Sequence, residues 1–170
     1  SVAQMLYYAG WRGARRDYRF VRLTLRSCID EVLDDYRPLL EEKGFRVEIR
    51  LADETVFTDR RGLCFLLGQL VSNSVKYALE KPVLTFSMES GDTAAVLTVR
   101  DNGPGVHACD LPYVFEKGFT GDSGHEKSKA TGMGLYLARE IAKELGLTLS
   151  AASDRGAGFE IRVTFPVVEE

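Results

Sequence analysis

The segment GQLVSNSVKYAL, residues 68–79, constrains this chain most, because it asks one helix to serve two purposes. Within a predicted helix over 59–80, Leu63, Leu66, Leu67, Leu70, Val71, Ser74 and Ala78 recur at helical spacing and form a stripe for packing. Gln69, Asn73, Lys76 and Tyr77 fall at i, i+4, i+7 and i+8 and share another face. That second face offers two amides, a cation and an aromatic ring. Asn is a poor helix former, so its mid-helix position points to a purpose beyond solvation. Asp59 is placed to cap the helix and Pro82 to end it.

The remaining pattern predicts elements on either side. Tyr18–Leu23 reads as a short strand. Ile29, Val32, Leu33, Tyr36, Leu39 and Leu40 follow helical spacing, with Pro38 as a kink signal and Gly44 as the stop. Phe45–Leu51 alternates as a strand with one wet face, and Thr55–Thr58 is a short partner. Val83–Met88 and Ala94–Asp101 form a hairpin around Ser90-Gly91-Asp92. Residues 102–131 lack periodicity, and a loop of that length in a compact domain is usually functional or disordered. A helix over 132–145 ends at Gly146, and strands follow at 147–152 and 159–165. This order predicts an α+β sandwich: a largely antiparallel sheet with helices on one face.

Composition narrows the function. The chain has 170 residues, enough for one domain with a full core, and a net charge of −3. No basic domain or stripe marks a nucleic-acid partner. Arg12, Arg15, Arg16 and Arg19, beside Trp11, read as a solvated linker at 10–17, after what looks like the end of a helix at 1–9. No apolar run reaches the 18 residues that suggest a membrane-spanning helix. The chain starts without methionine and inside an amphipathic pattern, as a piece of a longer protein would. Cys28, Cys64 and Cys109 fit a reducing cytosol better than a disulfide framework, and His107-x-Cys109 lacks the further ligands of a metal site.

Three local features converge on one ligand. Besides the polar helix face, Asp101-Asn102-Gly103-Pro104-Gly105 follows a strand in which Leu97, Val99 and Asp101 share a face. A carboxylate on an apolar face is costly unless it meets a donor, and the amino group of a planar base is such a donor. Thr131-Gly132-Met133-Gly134-Leu135 opens a helix, where unpartnered amides and glycines suit an anion. Neither a Walker loop nor a dinucleotide fingerprint is present. Base, phosphates and an amide oxygen for a hard cation together describe a site for a magnesium nucleoside triphosphate.

The ordered boxes GQLVSNSVKYA, DNGPG, LPYVFEKGFTG, TGMGLYLAREIA and GAGFEIRVTFP resemble the catalytic, ATP-binding domain of bacterial sensor histidine kinases. That domain belongs to a superfamily with DNA gyrase, Hsp90 and MutL. The wording VFEKGFTG and TGMGLYLA is most similar to intramembrane-sensing kinases paired with peptide-antibiotic transporters. The resemblance implies a Bergerat-type two-layer sandwich, with a mixed sheet and a long ATP lid at about 106–131. Residues 1–17 would be the tail of a dimerisation helix and a linker, and 18–170 the catalytic domain. It implies ATP and Mg²⁺ as cofactors, with Asn73 as the metal ligand and Lys76 on phosphate. Tyr77 would pack near ribose or base, and Asp101 would accept from the adenine amino group. Gly103 and Gly105 would keep the pocket floor open. Phe115 and Phe119 would anchor the lid, and Lys127 or Lys129 would neutralise γ-phosphate. Thr131, Gly132, Met133, Gly134 and Leu135 would surround the phosphates.

The sequence departs from the family pattern at three positions. Gln69 stands where many kinases have asparagine and gyrase-type ATPases a glutamate base. It can orient a group but takes no proton at neutral pH, which disfavours water activation and leaves transfer by positioning and electrostatics. His125 replaces an arginine common in the lid, and Phe159 replaces a threonine common in the closing strand. The resemblance implies a protein-histidine kinase core that passes γ-phosphate to a histidine on a dimerisation domain, and thence to a response-regulator aspartate. Neither His107 nor His125 has the context of that acceptor, so this piece is expected to be a monomer that does not autophosphorylate alone. Its parent would be a membrane-anchored homodimer with this domain in the cytoplasm. Two alternatives stay open: a serine kinase of the anti-sigma-factor type, disfavoured by Gln69, and a nucleotide-binding module without transfer.

Overall fold

A computed structural model describes residues 18–120, 132–154 and 156–167. Strand β1 (Phe20–Thr24) leads directly into α1 (Leu25–Lys43), and β2 (Arg46–Arg50) follows. Next come β3 (Thr55–Asp59), α2 (Arg60–Lys76), β4 (Val83–Ser90) and β5 (Ala94–Asp101). Among the described residues a 3₁₀ turn, Leu111–Tyr113, lies in the long connection to α3 (Gly134–Leu145), and β6 (Thr148–Asp154) and β7 (Gly158–Pro166) follow. The tail and linker expected at 1–17, and Lys127, Lys129, Thr131 and His125, lie outside the described residues.

Five strands form one mixed sheet in the order β2-β4-β5-β7-β6, with β2 parallel to β4 and the other neighbours antiparallel. Strands β1 and β3 pair separately as an antiparallel ribbon. The large sheet is amphipathic by period two. Leu84, Phe86, Leu97, Val99, Phe159, Ile161, Val163 and Phe165 are buried. Arg100, Glu160 and Arg162 alternate with them, and Glu160 bonds both arginines. Burial on one face only is what a sheet covered by one helical layer requires. This is the α+β sandwich expected from the pattern.

Helix α2 lies at the centre of the helical layer. It buries Leu63, Leu66, Leu67, Leu70, Val71, Ser74 and Val75. Its N-cap is Asp59, whose Oδ1 accepts from the Gly62 amide at 2.7 Å, while Oδ2 accepts from the Arg19 amide at 2.7 Å. One carboxylate thus satisfies an orphan helix amide and ties down the entry to β1. On one side α1 approaches closely at Gly68, where a Cβ would come within 3.3 Å of the Tyr36 ring. The thiol of Cys64 on α2 lies 4.0 Å from the Cys28 carbonyl on α1, and all three cysteines are free.

The element boundaries differ from the expected ones in instructive places. Helix α2 stops at Lys76, not near residue 80, and Tyr77 caps it in a non-helical conformation. The apolar stripe therefore ends before Ala78, which is only half-buried. Helix α1 begins at Leu25 and runs through Pro38. In the DNGPG turn, Asn102 does not bond locally. Its Oδ1 accepts from the Val83 amide at 2.7 Å and its Nδ2 donates to the Lys81 carbonyl at 3.1 Å, fastening the start of β4 to the end of β5.

Candidate functional site

A cavity of about 280 Å³ opens between the C-terminal half of α2, the loop after β5 and the N-terminus of α3. Gln69, Ser72, Asn73, Lys76 and Tyr77 line it from α2. The polar stripe of the helix thus faces a cavity and not bulk solvent alone, which explains amides at positions where solvation needs none. Among the described residues, nothing hydrogen-bonds the side-chain amides of Gln69 or Asn73. Ser72 completes the i, i+3, i+4, i+7 face with Gln69, Asn73 and Lys76, and helix geometry alone could have added it to the candidate set.

At the opposite wall Asp101 ends β5, 8% exposed. In the sheet it occupies a row running Val47–Leu84–Asp101–Phe159–Ser153 across all five strands. Each carboxylate oxygen has a donor: Ser74 Oγ reaches Oδ2 at 2.7 Å and the Gly103 amide reaches Oδ1 at 2.9 Å. Burial pushes the Asp101 carboxyl above the usual aspartate value, and these two donors and the Arg100 charge pull it part of the way back. Ser74 belongs to the packing stripe of α2, and its hydroxyl is spent on Asp101.

The loop wall is braced from behind. Gly105 has φ +70°, and a Cβ there would meet Ser153 Oγ at 2.6 Å and the carbonyls of Asp154 and Gly158 at 2.8 Å. The glycine requirement therefore comes from the β6–β7 turn packed behind the loop. Ser153 Oγ accepts from the Val106 amide at 2.8 Å and donates to the Gly158 carbonyl at 3.0 Å. The Gly156 amide donates to the Pro104 carbonyl at 2.7 Å. Gly103 does not line the cavity; its place is beside the Asp101 carboxylate, where a Cβ would come within 3.0 Å of Oδ1.

The third wall is the start of α3. The first intrahelical bond described runs from the Leu137 amide to the Met133 carbonyl at 2.8 Å, and Met133 provides no side-chain cap. The amides of Gly134, Leu135 and Tyr136 thus have no intrahelical partner, which makes this end of the helix suited to an anion. Gly132, Met133, Gly134 and Leu135 all line the cavity. Gly132 has φ +67°, its carbonyl accepts from the Gly118 amide at 3.1 Å, and a Cβ would strike Gly118 and Phe119 at 2.4–2.6 Å. Gly134 approaches Gln69, joining the α2 and α3 walls.

Of the two candidate phenylalanines, Phe119 lines the cavity and Phe115 does not; it is buried in the core. Val106, Asp110, Val114, Leu137 and Phe159 also line it, and the sequence reading assigned none of them to the ligand. Phe159 is both core and wall, directly opposite Asp101 in the β5–β7 register. Finding it requires that register. Among the described residues no cluster of three or more His, Cys, Asp or Glu could hold a metal. Any cation here would rest on neutral amide oxygens such as that of Asn73, completed by ligand oxygens, a donor set suited to a hard ion such as Mg²⁺.

Comparison with known proteins matches residues 58–169 to a family model described as histidine kinase-, DNA gyrase B-, and HSP90-like ATPase. The sensor protein BceS of Halalkalibacterium halodurans is 37% identical over 150 residues, covering 88% of this chain and 44% of that protein. The sensor protein kinase GraS of Staphylococcus aureus is 30% identical over 167 residues, covering 97% of this chain and 48% of that protein. The chain thus spans about half the length of the curated relatives it matches. Among solved structures, the Acinetobacter baumannii histidine kinase AdeS superposes with a TM-score of 0.75 at 19% identity, over 98% of this chain and 75% of that one. The catalytic domain of the histidine kinase ThkA gives 0.72 at 21% identity, over 87% and 95%. At these identities the structural likeness speaks for the fold.

Proposed function

Because this chain belongs to the histidine kinase-, DNA gyrase B- and HSP90-like ATPase family, we propose that it is the ATP-binding kinase core of a two-component sensor histidine kinase. The observation that carries the reading is the shared cavity: a buried carboxylate at one end, amide oxygens and a lysine along one side, and an open helix N-terminus at the other. Those groups match the base, the cation-bearing phosphates and the terminal phosphates of Mg·ATP in order. Asp101 accepts from the amino group of adenine, and Tyr77 and Phe159 flank the base. Asn73 holds Mg²⁺ through its amide oxygen, Lys76 contacts phosphate, and the amides opening α3 receive phosphate oxygens. Bound Mg²⁺ would supply neutralisation of phosphate charge.

Gln69 orients without abstracting a proton. The chain's residues therefore position the γ-phosphate and balance its charge, which is where most phosphoryl-transfer catalysis comes from. The acceptor is a histidine on the parent's own dimerisation segment, and the next acceptor an aspartate of a cognate response regulator. Residues 1–17 are the end of that dimerisation segment and its linker. The parent is a membrane-anchored, intramembrane-sensing homodimer paired with a peptide-antibiotic transporter, with this domain on the cytoplasmic side. Among the described residues no helix is long and apolar enough to cross a membrane.

The test is to mix this chain with a separately prepared phosphoacceptor hairpin of its parent and γ-labelled ATP. Acid-labile, base-stable label on the hairpin is expected, with none on the chain incubated alone. Label on serine would replace this reading with that of a serine kinase. ATP binding without any transfer would leave a nucleotide-binding module.

A further inference from the structure

We propose that Ser74 is the positioning residue that makes Asp101 selective for a 6-amino purine. This deepens the nucleotide reading and rests on it. Asp101 lies in an apolar row of the sheet, between Leu84 on β4 and Phe159 on β7. Neither neighbour offers a hydrogen-bond donor. Asp101 is 8% exposed and lines the same cavity as Phe159. Among the described residues, the only side chain that donates to its carboxylate is that of Ser74, at 2.7 Å, a residue itself 6% exposed. Among the described residues the backbone donor to it is the Gly103 amide, at 2.9 Å on the other oxygen.

Two donors on two different oxygens fix the plane of the carboxylate, and each oxygen retains a lone pair for a ligand. Without Ser74, Oδ2 would be buried with no protein donor, and the carboxylate would be held by the Gly103 amide alone, its plane no longer fixed at both oxygens. Hydrogen bonds to a charged group are the stronger kind, and their cost when broken falls on whatever interaction the charged group was positioned to make. Ser74 has no route to the phosphates: it points from the buried side of α2 while Asn73 and Lys76 face the phosphate side. Its effect is therefore confined to base recognition.

The test uses the whole 170-residue chain in magnesium buffer, titrated calorimetrically with ATP and with purine riboside triphosphate, which lacks the 6-amino group. Wild-type protein is expected to prefer ATP. Ser74→Ala is expected to bind ATP about tenfold more weakly while its affinity for purine riboside triphosphate stays unchanged, so that the preference collapses. Ser74→Cys, similar in size but a weak donor, should fall between, and serves in place of the alanine variant if that fails to fold. Equal weakening for both nucleotides, or an unchanged ATP preference, overturns the inference and leaves the nucleotide reading standing. Absence of ATP binding by the wild-type chain instead overturns the nucleotide reading, and this inference with it.

Discussion

At Asp101 a carboxylate occupies a place the rest of the sheet gives to leucine, valine or phenylalanine, and the fold bears the cost. Its pKa is raised by burial, so between the ordinary and the raised value the folded state holds more protons than the unfolded chain. Stability from this group is therefore fully present below the ordinary aspartate range and is lost as pH rises through the raised value. Asp101→Asn should melt no lower than wild type at pH 7 and lose its affinity for ATP. The stability difference between the two should shrink on acidification, which thermal melts across pH would show. Leu70 and Asn73 make a second contrast on neighbouring turns of α2. Leu70→Ala opens a core cavity and should cost about 2–5 kcal/mol in urea unfolding. Asn73→Ala should leave the melting temperature nearly unchanged and remove the magnesium-dependent part of nucleotide affinity. Equal destabilisation by both would make Asn73 a structural residue.

Elements bring these residues together through contacts that local pattern reports only in part. The two faces of α2, the cap at Asp59 and the alternation of β5 and β7 could be read directly, because periodicity and capping are properties of a short window. The early end of α2 at Lys76 could not, since it depends on Tyr77 turning out of the helix beside the loop after β5. Asn102 is a strap between β4 and β5, through a contact 19 residues away in sequence that no local pattern reports. The β6–β7 turn was legible only as a connection, yet Ser153, Gly156 and Gly158 hold the loop wall of the cavity in place. Gly105→Ala tests that brace. Its left-handed backbone and the three oxygens a Cβ would meet predict a loss of roughly 2 kcal/mol in denaturant unfolding, with weaker nucleotide binding. The same substitution at Gly91, with only a carbonyl 3.4 Å away and no left-handed backbone, should be close to neutral.

For the molecule as a whole, the order of the boxes in the sequence was enough to name a nucleotide site, but not to place its walls. Ser74 and Phe159 meet Asp101 only once α2 lies over the sheet and β7 pairs beside β5, and neither event leaves a local trace. Topology also sets which parts of the site hold still. Strand β5 is the middle one of five, with β4 and β2 on one side and β7 and β6 on the other. Native-state amide exchange should accordingly be slowest in β5 and faster at the outer strands β2 and β6; faster exchange in β5 than at those edges would refute this ranking. The base would then dock against the stiffest beam in the building, while the phosphates meet a helix tip reached through a connection of more than thirty residues. Affinity for the purine end should survive loss of the contacts at that helix tip, and a bare adenine nucleoside should keep its grip when the phosphate tail's is lost.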